Sequence, residues 1–235
     1  MIKLRYVVLI ILLIILADQG LKIWIKTSYE VGDTKLTGNM SWFRLYFIEN
    51  PGMAWGMKFG NETGKMVLTL FRLAAVIFGT WYLGKIVKQK YTRGFIVCAA
   101  LIYAGALGNL LDSMFYGVLF DKGLHYDPTL NDYISYSGIA KFSSPGYSSF
   151  FHGSVVDMLH FPIIRDAKYP DWFPFVGGDT FTFFSPIFNI ADASISIGVI
   201  MLLLFQKRFF KKELPPDKHP TVETSTEVSD KVQVL

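Results

Sequence analysis

The sequence carries two copies of one pattern, an asparagine followed three residues later by an aspartate, each inside an apolar stretch. The copies are Asn109/Asp112 in "GALGNLLDSMF" and Asn189/Asp192 in "FNIADASISIG". On a helix, residues at i and i+3 share a face, so the amide and the carboxylate lie side by side. A carboxylate at the centre of a membrane-spanning helix costs about 2.5–3.5 kcal/mol on insertion scales. A role in structure or in function must therefore compensate for the cost of burying these aspartates.

Two carboxylates held close together supply such a role. They cannot both ionise at low cost, so one keeps its proton while the other acts as a base. The base can take a proton from water, and the protonated partner can polarise an amide carbonyl, which are the requirements of peptide hydrolysis. Asp192 is one member of the predicted pair, and spacing alone favours Asp112 as the other.

Further charged residues interrupt the other apolar stretches. Asp18 and Lys22 stand at i and i+4 with the acid first, which is the favourable order on a helix, and Arg72 lies in a third stretch. Such residues can simply lock helices together, but each interhelical hydrogen bond contributes only about 0.6 kcal/mol on average. Several acids and amides at one depth therefore favour a functional site over a purely structural lock.

Other catalytic chemistries find little support in the sequence. The four histidines lie in predicted loops or the tail, outside any G-x-S-x-G setting, and are His125, His152, His160 and His219. The single cysteine, Cys98, sits in an apolar run and reads as a small buried hydrophobe. No Cys/His spacing indicates a metal site and no glycine-rich loop indicates a nucleotide. We expect neither a cofactor nor a metal.

The elements that must position these residues are membrane-spanning helices. The chain of 235 residues is 51% hydrophobic and only 18% charged, which is typical of a membrane protein. A helix of about 20 residues crosses a hydrocarbon core of about 30 Å. Four stretches of that length are predicted as helices, at about 6–25, 66–86, 95–115 and 186–205. The net charge of +4 forms no basic patch with interleaved aromatics, so nucleic-acid binding is not expected.

Basic residues at the ends of the apolar stretches predict the orientation. They precede the first helix, fill the short link between the second and third, and follow the fourth. The positive-inside rule then places both termini in the cytoplasm and two long loops, 26–65 and 116–185, outside. A cleavable signal peptide is the alternative for the N-terminus, but the apolar stretch continues to Ile25 with no A-x-A site after it. The polar segment 213–235 is predicted to be a disordered cytoplasmic tail.

With this orientation, the charged residues of all four helices fall in the outer layer of the membrane. Ser185 and Pro186 are predicted to cap and begin the fourth helix, which places Asp192 about 9–10 Å below its outer end. A small proton-coupled transporter is the main alternative, and a structural partner protein is a third. A transporter needs polar residues through the whole depth of the bundle. The inner halves of these helices contain no Asp, Glu, Lys or Arg before their cytoplasmic flanks.

Five short motifs together resemble one known family. They are "ADQGLKIW", "ENPGMAWGM", "GALGNLLDSMFYG", "VVDM" and "FNIADASISIG". Their order and their positions on the four helices resemble lipoprotein signal peptidase, also called signal peptidase II. The resemblance fits the fold that the residues themselves predict, an all-α membrane protein with four transmembrane helices, a small extracytoplasmic β-cradle and an inserted outer loop. It also implies an aspartic endopeptidase of the bacterial inner membrane.

The substrate and the site residues follow from the same resemblance. The enzyme would remove signal peptides from prolipoproteins by cutting before the diacylglyceryl-modified cysteine, in contact with membrane lipid and, we expect, as a monomer. Asp157 of "VVDM" and Asp192 match the catalytic pair. A partly desolvated carboxylate in the apolar run around Asp157, which could re-enter the membrane edge, would suit a shared proton. The matching supporting and substrate-binding residues are Asp18, Lys22, Asn50, Gly52, Asn109, Asp112 and Asn189.

The sequence also departs from the family pattern. Ser113 stands where the family usually has arginine after the first N-x-x-D, and Arg72 is a conceivable replacement. Two aromatic-rich segments, 117–151 and 162–184, are longer than expected and could form a lid or interfacial cover, or be decorated surface loops. The first outer loop is predicted to contain a small sheet or cradle that places Trp42, Phe43 and Trp55 at the membrane interface.

Overall fold

A computed structural model describes residues 2–36, 42–52, 62–183 and 185–209. Four helices lie within these ranges: α1 (Leu4–Lys26), α2 (Glu62–Lys88), α3 (Arg93–Leu119) and α4 (Ile190–Phe209). All four are long and apolar enough to cross a membrane, which confirms the predicted multi-pass architecture. Trp55 and the predicted disordered tail, 213–235, lie outside the described residues.

Helix α3 is the centre of the bundle and packs against α1, α2 and α4. Close approach of α3 and α4 depends on small residues. A Cβ added at Gly105 would lie 2.2 Å from the Ala191 carbonyl oxygen, and one at Gly198 would lie 2.9 Å from that of Cys98. Only small residues at these positions allow the two helix backbones to approach each other so closely.

Short strands extend the fold at one end of the bundle. In chain order they are β1 (Thr34–Leu36), β2 (Arg44–Asn50), β3 (His125–Asp127), β4 (Asp132–Ile134), β5 (Val155–His160), β6 (Ile164–Lys168), β7 (Thr180–Phe183) and β8 (Ile187–Phe188). Strands β1, β2, β5 and β8 form one antiparallel sheet in that order, while β3–β4 and β6–β7 are separate hairpins. The described chain thus holds more β-structure than an all-α protein with one small cradle.

The "VVDM" segment forms strand β5 of the sheet and is not an isolated apolar run. Asp157 pairs with Ile48 of β2, and Val155 pairs with Asn50. Strand β5 pairs with β2 along most of its length and with β8 at Leu159 and His160, and nearly every residue of the strand is buried. A strand buried on both faces reads as a continuous apolar run, so the sequence pattern alone did not distinguish the two structures.

The predicted start of the fourth helix is wrong by four residues. Ile187 and Phe188 pair with His160 and Leu159 of β5, so the sheet holds this segment in an extended conformation. Helix α4 begins at Ile190, and Asp192 therefore lies in its first turn instead of several residues below its outer end. Asn189, and neither Ser185 nor Pro186, precedes the helix.

Part of the segment 117–151 packs into the protein core. Phe120 and Ala140 from this segment are buried in one cluster with Ile25 of α1, Phe47 of β2 and Met158 of β5. The cluster connects the insertion, the first helix and both central strands of the sheet. The sequence predicted either a lid or a surface loop for this insertion. In the structure, part of it is instead a packed element of the core.

Candidate active site

Asn189 connects the two aspartates that the sequence and the family resemblance single out, through the carboxylate of Asp157 and the backbone of Asp192. Its Oδ1 accepts the backbone N–H of Asp192 at 2.8 Å, which is the bond of a helix N-cap. Its Nδ2 donates to Asp157 Oδ1 at 2.7 Å and to Asn109 Oδ1 at 3.1 Å. Asn189 is fully buried. One amide side chain therefore fixes the start of α4 against the strand that carries Asp157.

Asn109 holds the side chain of Asp192 from the opposite helix. Its Nδ2 donates to Asp192 Oδ1 at 2.7 Å, while its Oδ1 accepts from Lys22 Nζ at 3.0 Å. The two N-x-x-D motifs thus meet across α3 and α4 through their amides. The two aspartates of these motifs, Asp112 and Asp192, have different partners.

Asp112 belongs to a buried ion-pair cluster with Lys22 and Asp18. Lys22 Nζ lies 2.8 Å from Asp112 Oδ2 and 2.8 Å from Asp18 Oδ2, and all three side chains are at most 1% exposed. Asp112 Oδ2 also accepts the Val156 N–H at 3.3 Å. Asp18 Oδ1 accepts the Ala191 N–H at 2.9 Å, so this cluster caps the first turn of α4 as well. Its carboxylates are occupied by fixed partners.

Gln19 completes this cluster, although the sequence analysis did not name it. Its Nε2 donates to Asp112 Oδ1 at 2.7 Å and to Asp18 Oδ2 at 3.1 Å, and its Oε1 accepts from the Tyr116 hydroxyl at 3.1 Å. The available signal was its place between Asp18 and Lys22 in "ADQGLKIW". A neutral residue next to an acid matches no charge-spacing pattern, so the sequence alone did not indicate a role for Gln19.

Asp157 has a different environment from Asp112. It is 3% exposed, and no cation lies in salt-bridge contact with it among the described side chains. Besides Asn189, its described hydrogen-bond donor is Asn50 Nδ2, which lies 3.5 Å from Oδ2. Burial, followed by the charge of nearby Asp192, raises the pKa of Asp157 to about 8. A carboxyl group with this pKa keeps its proton at neutral pH.

Arg72 reaches the position where the family pattern has its arginine. Its Nη1 donates to Ser113 Oγ at 2.7 Å, and Ser113 Oγ in turn donates to the Asn109 backbone carbonyl at 2.9 Å. The sequence raised this possibility without showing that the side chain could reach. Helix α2 therefore supplies a guanidinium group next to the α3 turn that carries Asn109 and Asp112.

Gly52 follows strand β2 and lies against Leu68 of α2. Its φ is +118°, a conformation that side-chain-bearing residues rarely adopt, and an added Cβ would lie 2.6 Å from Leu68 Cδ2. Its N–H donates to Asn50 Oδ1 at 2.9 Å. The glycine therefore makes the turn that orients Asn50 towards Asp157.

A second buried ion pair joins the end of α1 to strand β2 of the sheet. Lys26 pairs with Glu49, which is the neighbour of Asn50 on β2. Glu49 also accepts the Tyr136 hydroxyl at 2.6 Å and the Leu124 N–H at 3.1 Å, both from the 117–151 insertion. No sequence spacing indicates this pair, because its members lie at unrelated positions on a helix end and a strand.

The fold and the site together define a class of protein. This is a multi-pass membrane protein with a buried network of carboxylates and amides at one end of its helix bundle, adjoining a small antiparallel sheet. Within the described ranges, no group of three or more His, Cys, Asp or Glu side chains is arranged to hold a metal ion.

Comparison with known proteins identifies the family. A model of the family described as signal peptidase (SPase) II matches residues 10–208, and the chain belongs to that family. The lipoprotein signal peptidase of Porphyromonas gingivalis is 41% identical over 230 residues, covering 92% of this chain and 94% of that protein. The lipoprotein signal peptidase of Amoebophilus asiaticus is 33% identical over 220 residues, covering 92% and 83%.

A solved structure of similar fold supports the same assignment. It is a bacterial membrane enzyme determined by the in meso method at 2.3 Å resolution. It matches with a TM-score of 0.51 and 25% identity, over 90% of this chain and 94% of that one. The family resemblance noted from the five motifs is therefore confirmed, and the protein is a peptidase of the signal peptidase II family. The transporter alternative is not supported.

Proposed function

We propose that this protein is an aspartic endopeptidase that cleaves bacterial prolipoproteins just before their diacylglyceryl-modified cysteine. The observation that carries the proposal is the bridge through Asn189, which binds Asp157 directly and caps the helix turn of Asp192. The names of the related enzymes support the substrate class, since those proteins are lipoprotein signal peptidases. The buried carboxyl of Asp157 supports the aspartic mechanism.

The proposed mechanism needs one shared proton and one water. Asp192, as the ionised member, accepts a proton from the water, and the resulting hydroxide attacks the scissile carbonyl carbon. Asp157, as the protonated member, donates its proton to the carbonyl oxygen. The tetrahedral intermediate then breaks its C–N bond as the proton on Asp192 passes to the leaving amine nitrogen, and one hydroxyl proton of the intermediate returns to Asp157, which regenerates the starting pair. The products are a free carboxyl on the signal peptide and a free amine on the lipid-modified cysteine.

The surrounding residues hold the pair in position and keep other charges from competing for the proton. Lys22 pairs with both Asp18 and Asp112, and the strongest effect of a charge on Asp157 is that of Asp192. Asn109 and Asn50 each donate to one of the reacting carboxylates. Arg72 takes the structural place of the arginine that Ser113 replaces and, in this proposal, stabilises negative charge that develops on the carbonyl oxygen.

The proposed location is the bacterial inner membrane, with both termini in the cytoplasm and the site near the outer face. The basic flanks of the helices support this orientation. The antiparallel sheet then forms the predicted extracytoplasmic cradle. A scissile bond next to a lipid anchor lies at that same membrane surface, so the substrate reaches the site without leaving the bilayer.

An apolar cavity below the site is suited to the signal peptide. It has a volume of about 450 Å³ and lies between α2, α3 and α4, with walls that include Phe78, Tyr82, Ile102, Tyr103 and Leu202. In the proposed orientation, these residues lie in the inner half of the bundle, beneath the carboxylates. An apolar segment that descends from the cleavage site towards the cytoplasm would enter this region.

Incubation of the purified protein with a lipidated prolipoprotein tests this function directly. We expect mass spectrometry to find a signal peptide that ends at the residue before the cysteine, together with a lipoprotein that begins with the modified cysteine. The matched control is the same substrate without its diacylglyceryl group, which we expect to be cleaved poorly. Intact lipidated substrate after incubation with folded enzyme would reject the proposal.

The pKa of Asp157 predicts a basic limit to the activity. Below about pH 8 its carboxyl holds the shared proton, and above that value both members of the pair are ionised and no acid remains. We expect kcat/KM for lipidated substrate to fall with rising pH, with a midpoint within about one unit of pH 8. A rate that stays constant from about pH 6 to pH 10, with the protein folded throughout, would contradict the shared-proton mechanism.

A further inference from the structure

The second insertion forms a hairpin that makes its main contacts within itself. Strands β6 and β7 pair with each other, and among the described elements neither packs extensively on another. Residues 169–179 form the tip between them. The hairpin leaves the body of the protein between β5 and β8, next to the first turn of α4. Its base therefore stands at the end of a membrane-spanning helix, where the bilayer surface begins.

The tip exposes large aromatic side chains. Trp172 is 79% exposed, Phe173 is 43% exposed and Phe175 is fully exposed. Phe175 also has a φ of +72°, which is rare and costly for a bulky residue. The strained backbone at Phe175 therefore gains no side-chain packing within the chain in return. The apolar surface continues at the base of the hairpin, where Ile163 is 59% exposed.

The backbone of the tip is closed by its own hydrogen bonds. The Tyr169 N–H donates to the Asp179 carbonyl at 2.9 Å, and the Gly178 N–H donates back to the Tyr169 carbonyl at 3.1 Å. Within the loop, the Phe173 N–H donates to the Pro170 carbonyl at 2.9 Å. A loop that meets lipid needs such internal bonds, because hydrocarbon offers no partner to a free backbone group.

We propose that this hairpin tip inserts into the outer headgroup layer of the membrane and anchors the sheet beside the active site. Tryptophan and other aromatic side chains favour that layer because their apolar rings and polar edges match its two sides. Asp171 and Asp179 are exposed in the same loop. Charged groups are costly in hydrocarbon, so they limit the tip to the interface. The insertion 162–184 is in this view a fixed anchor between the elements that carry Asp157 and Asp192.

A nitroxide label at the tip measures its depth without any need for cleavage. Cys98→Ser removes the single native cysteine, and Trp172→Cys or Phe175→Cys then provides the label site. In substrate-free phospholipid vesicles, we expect the label to be open to dissolved oxygen and several-fold less open to a water-soluble nickel complex than a label at Leu130→Cys. Leu130 is the matched control because it is 67% exposed on the other outer hairpin, β3–β4.

Two results would overturn the proposal. The first is a nickel accessibility at positions 172 and 175 equal to that at Leu130→Cys, which would place the tip in water. The second is a tip that is water-exposed in empty vesicles and becomes protected only when lipidated substrate is added, which would identify a lid. Because both labels are read without turnover, failure of the anchor and failure of the peptidase proposal are distinguishable.

Discussion

Asp157→Asn and Asp192→Asn are each expected to reduce cleavage of lipidated prolipoprotein to background. An asparagine at either position preserves the shape of the side chain but cannot share or transfer the proton. Loss of general acid or base catalysis alone costs about 10²–10⁴-fold, and loss of one member of a coupled pair removes both roles. The measurement is the initial cleavage rate in detergent or vesicles, normalised to the amount of folded protein.

The fold should survive both substitutions. The amide oxygen of an asparagine at position 192 can still accept the bond from Asn109, and one at position 157 can still accept the 2.7 Å bond from Asn189, so that only the long 3.5 Å bond from Asn50 is lost. We therefore expect thermal unfolding within a few degrees of the wild type. Cys98→Ser is the matched control for handling and expression, and it should leave cleavage within a few-fold of the wild-type rate. Near-wild-type cleavage by either asparagine variant would contradict the assignment.

Lys22→Met is expected to cause the largest loss of stability. Lys22 is fully buried and is the cation that neutralises both Asp18 and Asp112. Removing one partner of a buried ion pair typically costs about 3–5 kcal/mol because it leaves uncompensated charge, and here it leaves two carboxylates. Methionine retains most of the side-chain volume, so the effect reports the lost charge and hydrogen bonds. The measurement is the thermal unfolding midpoint in detergent.

Lys88→Met is the matched control for this experiment. Lys88 lies at the end of α2, is exposed and has no ion pair among the described residues. The same change of chemistry there should shift the unfolding midpoint little. An equal effect of the two substitutions would mean that the Lys22 cluster does not hold the start of α4 in the way its hydrogen bonds indicate.

The helices were predictable because each one is determined by its own stretch of sequence. Each apolar stretch carries its own length and composition, and basic flanks mark its ends. The placement of Asp18, Lys22, Asn109 and Asp112 in one layer followed from helix orientation and spacing. The hydrogen bonds between these residues form because the ends of α1 and α3 that carry them lie together.

The start of α4 was not predictable because a distant strand determines it. Ser185 and Pro186 make a good local helix start, yet pairing of Ile187 and Phe188 with β5 outweighs that preference. The cap therefore moves to Asn189. That shift gives Asn189 its role as the bridge between Asp157 and Asp192, which spacing within one motif did not indicate.

The Lys26–Glu49 pair was missed for a related reason. It joins the end of α1 to the middle of β2 and is completed by the insertion 117–151. No period relates residues on a helix and a strand, so only tertiary structure brings them together. The sequence left the role of this insertion open because its aromatic and glycine-rich composition is typical of both packed segments and surface loops.

The most direct test of the central claim is to compare Asp157→Asn with Asp112→Asn in the same cleavage assay. Asp112 is paired with Lys22 and held by Gln19 and the Val156 N–H, so it serves as a fixed partner. The account predicts no cleavage by folded Asp157→Asn, and reduced stability or a partial loss of activity for Asp112→Asn. Normal cleavage by Asp157→Asn together with folded but inactive Asp112→Asn would show that Asp112 and Asp192 are the reacting pair, and would contradict the account.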